Sequence, residues 1–223
     1  MTVMVIAPHP DDETLGCGAT LLRHKAMGDS VHWVIATDMK NGVGYSLGAI
    51  EKRRREISEV SKAYEFSSTV ELGFSTTMLD QVPMAQLVSK MSEVFKGVNP
   101  TVVYLPFSGD SHSDHGMVAG AVLSCAKWFR HSSVQKIYAY EVLSETDFAL
   151  DPSRSKFEPS VFVNVTKYFQ KKIEIAQIYS SEMGQFPFPR SVEALKALAN
   201  VRGAASGCEY AEAFMLIKEI ITE

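Results

Sequence analysis

Hydrophobic and polar positions change period repeatedly along the chain. Short runs of apolar and β-forming residues fall at Thr2–Ala7, Val31–Thr37, Val70–Phe74, Thr101–Pro106 and Lys136–Val142. Between them lie longer stretches, Glu13–Met27, Ala49–Tyr64, Pro83–Phe95 and His115–Phe129, in which apolar residues recur at helical spacing. The first kind reads as strand and the second as helix. Leu15, Leu21, Leu22 and Ala26 mark one face of the first helix, and Gly28 stands in the expected stop position. Ile50, Ile57, Val60 and Ala63 mark the second helix, and Pro83 sits in a first turn, where it is tolerated. Alternating β and α units imply a mostly parallel sheet covered by helices on both faces, a Rossmann-like three-layer α/β fold.

After Leu143 the rhythm weakens. Asp38–Gly48 and Asp147–Pro159 read as loops, and Ser160–Val165 as a late strand at an edge. Thr166–Ser181 and Ser191–Ala205 read as helices flanking a turn at Gly184–Pro189. Glu209–Ile221 reads as a closing amphipathic helix, with Tyr210, Phe214 and Met215 toward the core. At 223 residues the expectation is one domain over 1–223, with 143–223 forming its C-terminal strand and helical part. Substrate choice is expected from the Asp38–Gly48 loop and the region after Leu143.

Hydrophobic residues make up 46% and charged residues 22%, ordinary values for a globular protein. The net charge of −4 argues against a nucleic-acid surface. The basic run Lys52–Arg55 is followed by Glu56 and Glu59, which suits a solvated helix face. No stretch approaches the roughly 20 apolar residues of a membrane span. Three scattered cysteines, Cys17, Cys125 and Cys208, form no disulfide framework. A cytoplasmic address with no membrane partner is the expectation, and a homo-oligomer is compatible with an exposed C-terminal region.

The densest chemistry is Ala7-Pro8-His9-Pro10-Asp11-Asp12-Glu13, at the exit of the first strand. A second cluster, His112-Ser113-Asp114-His115, follows the Thr101–Pro106 strand. Sites in open parallel sheets form at the carboxyl ends of strands. If these two strands are neighbours, the clusters converge, and His9, Asp12 and His115 would give a His₂Asp set with an open position, as a catalytic zinc requires. Consecutive residues in a turn point in different directions, so Asp11 can face a bound water as general base while Asp12 binds the metal. His112 could stabilise an oxyanion or protonate a leaving amine, with Asp114 holding its imidazole in one tautomer.

Pro8-His9-Pro10-Asp11-Asp12-Glu13, followed by Leu15-Gly16-Cys17-Gly18 and by Asp110-x-His112-x-Asp114-His115, resembles the PIG-L/LmbE-type N-deacetylase superfamily. Arg53-x-x-Glu56, Ala199-x-x-Arg202-Gly203 and Gly207-x-x-Tyr210-Ala211-Glu212-Ala213-Phe214 extend the likeness over most of the chain. Ala19 departs from it, since many members carry Gly there. The resemblance implies a zinc-dependent hydrolase that deacetylates N-acetylated sugars or glycoconjugates. By it, His9, Asp12 and His115 hold the zinc, Asp11 is the base, His112 is the acid or oxyanion stabiliser, and Asp114 is its partner. Arg53 would reach substrate hydroxyls, with Arg54 and Arg55 as neighbours in the same run. Another divalent transition metal fits the same donors. Two other readings stay open: an amidase acting on a larger sugar–thiol conjugate, and a non-catalytic binding module.

Plainer uses compete. Asp11 or Asp12 could cap the following helix. Gly16-Cys17-Gly18 falls too late after the strand for a dinucleotide loop, Leu21 stands where its last glycine belongs, and carboxylates would repel a pyrophosphate. Helix-on-strand packing is the better use of those glycines. His24, His32 and His131 lack a partner at ligand spacing and read as structural or surface residues. Phe186-Pro187-Phe188-Pro189 reads as a lid or an oligomer contact rather than a plain rigid turn.

Overall fold

The computed structural model describes residues 1–40, 44–151, 153 and 155–221. Asn41–Val43, with Gly42 of the Asp38–Gly48 loop, and Pro152 and Arg154 of the Asp147–Pro159 loop lie outside the described residues. The elements run β1 (Thr2–Ala7), α1 (Asp12–Ala26), β2 (Ser30–Asp38), α2 (Leu47–Tyr64), β3 (Ser68–Ser75), α3 (Met84–Val98), β4 (Val102–Pro106), α4 (Ser113–Cys125), β5 (Lys136–Tyr140), β6 (Val161–Asn164), α5 (Phe169–Ala176), α6 (Val192–Ser206) and β7 (Ala211–Glu219). Among the described residues the sheet has seven strands in the order β3-β2-β1-β4-β5-β7-β6. The first five in that order pair in parallel, and β7 runs antiparallel to both β5 and β6.

β1 shows why the strands read as continuous apolar runs. Val3, Val5 and Ala7 pack on one side, in a cluster with residues of α1, α2, α5 and α6. Met4 and Ile6 pack on the other, with residues of α3 and α4. A strand buried on both faces has no polar side to display. The result is three layers, with β1 and β4 adjacent at its centre in the register Val3↔Val102 to Val5↔Tyr104. Their carboxyl ends therefore deliver the two sequence clusters to the same edge.

Helix α1 departs from regular geometry at Cys17 (φ −141°, ψ 16°). The break frees the Ala19 and Thr20 amides, which donate to the Glu212 carboxylate at 3.0 and 2.7 Å. Lys172 Nζ neutralises that carboxylate at 2.7 Å and also reaches Leu15 O at 2.8 Å. Gly16 and Gly18 are packing residues, as their sequence context suggests. A Cβ at Gly16 would lie 2.2 Å from Tyr140 Cδ2, and one at Gly18 would lie 2.3 Å from the Tyr64 hydroxyl.

The expected closing helix Glu209–Ile221 is instead strand β7. Its Ala, Glu, Met, Leu and Lys content favours helix, but the segment fills the slot between β5 and β6 and tertiary pairing overrides local propensity. Phe214 is buried in the core against Tyr104 and Tyr138. The fourth helix ends at Cys125 rather than Phe129. Lys218 Nζ binds Ala126 O at 2.9 Å, just past the helix end where a cation is favoured, and Trp128 and Phe129 stand exposed beyond it. Helix α5 is shorter than Thr166–Ser181. Among the described residues no helix is long and apolar enough to cross a membrane.

Candidate metal centre and cleft

The loop leaving β1 presents His9, Pro10, Asp11 and Asp12. Asp11 adopts φ 140°, ψ −30°, a left-handed conformation rare for a residue with a side chain. Its carbonyl accepts from Thr14 N at 3.0 Å and Leu15 N at 2.8 Å, and its own N–H donates to Glu13 Oε2 at 3.2 Å. Glu13 also accepts from the Thr14 hydroxyl at 2.6 Å and the Tyr179 hydroxyl at 2.8 Å, and it is fully buried. Burial raises the Glu13 carboxyl to about 7. Glu13 braces the turn from behind. The strained turn gives the two aspartates different partners.

Asp12 Oδ2 lies 3.3 Å from His9 Nδ1 and 3.4 Å from His115 Nε2. One ligand atom from each of His9, Asp12 and His115 lies within 4.8 Å of the others. His115 is wholly buried, and its Nδ1 is 2.7 Å from Asp110 Oδ2. Asp110 accepts in turn from the Thr146 hydroxyl at 2.6 Å. The outward His115 Nε2 is buried and lacks a hydrogen bond of good geometry. A buried imidazole with one nitrogen committed to a carboxylate and the other orphaned beside an aspartate fits a metal ligand. Although burial alone would raise it, the His115 and His9 imidazoles hold the Asp12 carboxyl far below its usual range. The donor set of two imidazoles and one carboxylate suits a divalent transition metal.

Asp114 sits elsewhere than expected. Its Oδ2 lies 3.1 Å from His9 Nε2 and accepts from Thr77 N at 2.8 Å, while Oδ1 accepts from Leu79 N at 3.1 Å. The carboxylate thus serves His9 rather than the His112 imidazole. What Asp114 gives His112 is its backbone N–H, which donates to Nδ1 at 3.1 Å as part of the cap of α4. With Nδ1 accepting, the neutral His112 ring carries its proton on Nε2. Burial, with His9 beside it, lowers the His112 pKa below its ordinary value.

Above the cluster opens a cavity of about 240 Å³, lined by His9, Asp11, Asp12, Arg53 and His112, by Met39 and Tyr45, and by Glu145, Glu182 and Arg190. The loop after β2 and the region after Leu143 both contribute to its wall. Burial first, then the Asp12 and Glu182 carboxylates, push the Asp11 carboxyl well above its usual range, while Arg190 and Arg53 pull it back. Of the basic run, Arg53 alone turns inward. It donates to Pro10 O at 2.5 Å and to Ser181 at 3.2 Å, and pairs with Glu182 and Glu56, whereas Arg54 and Arg55 are exposed. Arg190 Nη1 lies 3.1 Å from Asp11 Oδ2.

Asp110, Glu145, Glu182 and Arg190 carry no role in the sequence reading. Asp110 had a signal, since it stands five residues before His115 within the second cluster. Glu182 and Arg190 had none, being isolated charges in a turn far from both clusters. His24 is a satisfied structural histidine, with Nδ1 2.7 Å from Asp29 and Nε2 3.0 Å from the Tyr104 hydroxyl.

The fold and this cluster define an α/β protein with a candidate metal centre at the carboxyl edge of its sheet. More narrowly, the chain belongs to the PIG-L family, described as GlcNAc-PI de-N-acetylase, whose pattern matches residues 4–126, more than half of the sequence. It is 26% identical over 185 residues to YaiS, an uncharacterized deacetylase of Escherichia coli K12, covering 80% of this chain and 90% of that one. It is 25% identical over 248 aligned residues to the diacetylchitobiose deacetylase of Thermococcus kodakarensis, covering 98% and 84%. The crystal structure of the conserved protein TT1542 from Thermus thermophilus superposes with a TM-score of 0.79 at 27% identity, over 100% of this chain and 97% of that one.

Proposed function

We propose that this chain is a metal-dependent N-deacetylase that removes the acetyl group from the amide nitrogen of an N-acetylated amino sugar or glycoconjugate. One observation carries the reading: adjacent carboxylates are divided between two tasks. Asp12 converges with His9 and His115, while Asp11 faces the cleft and pairs with Arg190. Relatives named as deacetylases support the chemistry, and one of them, diacetylchitobiose deacetylase, supports an amino-sugar substrate.

His9, Asp12 and His115 would hold the metal, zinc being the natural choice for three N/O ligands with an open position. A divalent cation there would supply Lewis acidity, favouring attack of water on an amide carbonyl at neutral pH. Asp11 takes a proton from the attacking water as general base and returns it to the departing amine. His112, neutral and protonated on Nε2, donates to the oxyanion as it forms. The capped Nδ1 favours this donor role over that of a pre-charged acid. Asp114 orients His9, Asp110 orients His115, and Arg53 lines the wall of the cleft where the hydroxyls of a sugar would pass. The products are acetate and a free amine.

The test is primary-amine release from a panel of N-acetylated sugars and disaccharides, with and without chelator. Chelator-sensitive release from an acetamido sugar is expected. Absence of release from every acetamide offered to the metal-loaded protein would overturn the reading.

A further inference from the structure

Two guanidinium groups grip the loop that carries the candidate base, and they share one carboxylate. Arg53 Nη1 donates to Pro10 O at 2.5 Å, and its Nη2 pairs with Glu182 Oε1. Arg190 Nη1 lies 3.1 Å from Glu182 Oε2 and 3.1 Å from Asp11 Oδ2. Glu182 thus ties together two cations that also reach consecutive residues of the loop, Arg53 to Pro10 and Arg190 to Asp11.

Arg190 is itself anchored. Its carbonyl accepts from Gly184 N at 2.9 Å, closing the turn before it, and its guanidinium carbon lies 5.8 Å from the centre of the Phe188 ring. Ser191, the next residue, is fully buried and caps α6 by accepting from Ala194 N at 3.1 Å. The arginine therefore projects from a braced turn. Only one Asp11 oxygen is engaged: among the described residues, no hydrogen bond reaches Oδ1. The backbone at Asp11 sits at φ 140°, a conformation that persists only where the surroundings impose it. Arg190 is the side chain from outside the loop that meets its carboxylate, at 3.1 Å.

The geometry points to Arg190 as the positioning residue of Asp11, binding Oδ2 so that Oδ1 alone is presented to the reacting water, with Glu182 holding the guanidinium in place. The reference to a reacting water rests on the deacetylase reading above; the ion pair does not. Both arginines of the cleft wall are paired with Glu182, which leaves less of their charge for an anionic substrate; capture of such a substrate by Arg190 is the competing assignment. The two differ in kinetics. Loss of a positioning residue lowers kcat, whereas loss of a binding residue raises KM with kcat intact.

Arg190→Met, Arg190→Lys and Arg190→Ala are compared with the wild type, each loaded with metal. A misplaced catalytic group costs about 100-fold in rate, and that drop in kcat is expected for Arg190→Met with KM little changed. Arg190→Lys retains part of the rate. Guanidinium chloride at low concentration restores part of it to Arg190→Ala and none to Arg190→Met, whose side chain fills the space. Metal content stays equal in all four proteins. A rise in KM at unchanged kcat, or no kinetic change at all, would overturn the assignment. A crystal structure of Arg190→Met supplies a readout that does not depend on turnover, with the Asp11 carboxylate expected to leave its orientation. If the wild type deacetylates nothing, the functional reading fails, and this structure alone decides the role of Arg190: an unmoved Asp11 carboxylate refutes it.

Discussion

Asp11 and Asp12 are neighbours in sequence whose carboxylates belong to different structures. Asp12 Oδ2 lies 3.3 Å from His9 Nδ1 and 3.4 Å from His115 Nε2, within the buried cluster. Asp11 Oδ2 lies 3.1 Å from Arg190 in the cleft wall. The positive φ at Asp11 is what separates them, because ordinary helical entry would place both on the first turn of α1. Glu13 stabilises the separation from behind by accepting the Asp11 N–H.

That division predicts opposite phenotypes for adjacent substitutions. Asp11→Ala is expected to keep its metal and lose about 10²–10⁴-fold in turnover, the range for removing a general base. Asp12→Ala and His115→Ala are expected to lose the metal itself. Metal analysis after gel filtration, paired with an acetate-release assay, distinguishes the two. Near-normal acetate release by Asp11→Ala would refute the assignment of the base.

Asp110 is fully buried and holds His115 through a 2.7 Å contact to Nδ1. Replacing it by Asn keeps the shape and the Thr146 contact but weakens the acceptor that orients the imidazole. Loss of such a partner costs about 10–100-fold in metal affinity. Competition against a chromophoric chelator measures it, and an affinity equal to that of the wild type would show that Asp110 plays no part in ligation.

Much of this was legible in the chain, and the failures share a cause. Strand β1 and its charged exit declare themselves locally, because a doubly buried strand must be apolar and its end must carry the chemistry. The convergence of His9 with His115 depended on β1 and β4 being neighbours, which parallel α/β topology makes natural. Strand β7 was hidden, since its residues prefer helix and only the gap between β5 and β6 makes them extend. The link between Asp114 and His112 was misread because proximity in sequence suggested a side-chain contact. In the fold, the carboxylate turns to His9 and the backbone amide serves His112. Arg190 could not be found at all, since nothing local ties it to a residue 179 positions away.

The Lys172–Glu212 pair makes the hidden strand testable. Glu212 accepts from two amides released by the break at Cys17 and from Lys172, and both side chains are buried. Glu212→Ala leaves two amide donors without their acceptor and a buried ammonium with only the Leu15 carbonyl. Removing one partner of a buried pair typically destabilises by about 3–5 kcal/mol. Urea unfolding should show a loss of that order for Glu212→Ala and a smaller one for Lys172→Met, which leaves the Ala19 and Thr20 bonds in place. Wild-type stability in Glu212→Ala would show that β7 does not anchor α1.

His24 predicts a pH dependence separate from the cluster. It lies between Asp29, 2.7 Å from Nδ1, and the Tyr104 hydroxyl, 3.0 Å from Nε2. A neutral ring satisfies both, donating from Nδ1 and accepting at Nε2 from a tyrosine whose proton burial holds firmly in place. Burial outweighs the attraction of Asp29 and lowers the His24 pKa below its ordinary 6.5. Between the folded pKa and about 6.5 the unfolded chain therefore binds more protons than the native one, so stability rises with pH across that window. Above it His24 contributes no pH dependence; below the folded pKa the full penalty of charging a buried ring persists. The Asp29 carboxyl is also depressed, burial opposing but outweighed by the amino terminus and His24, so its contribution disappears only in stronger acid. Other histidines titrate in both wild type and variant, so the informative quantity is the difference between their curves. Urea unfolding of wild type and His24→Gln at several pH values from 5 to 8 should give a wild-type curve that falls more steeply below about 6.5, the unfolded histidine value. Parallel curves through that range would mean that His24 gains and loses its proton as freely in the fold as outside it.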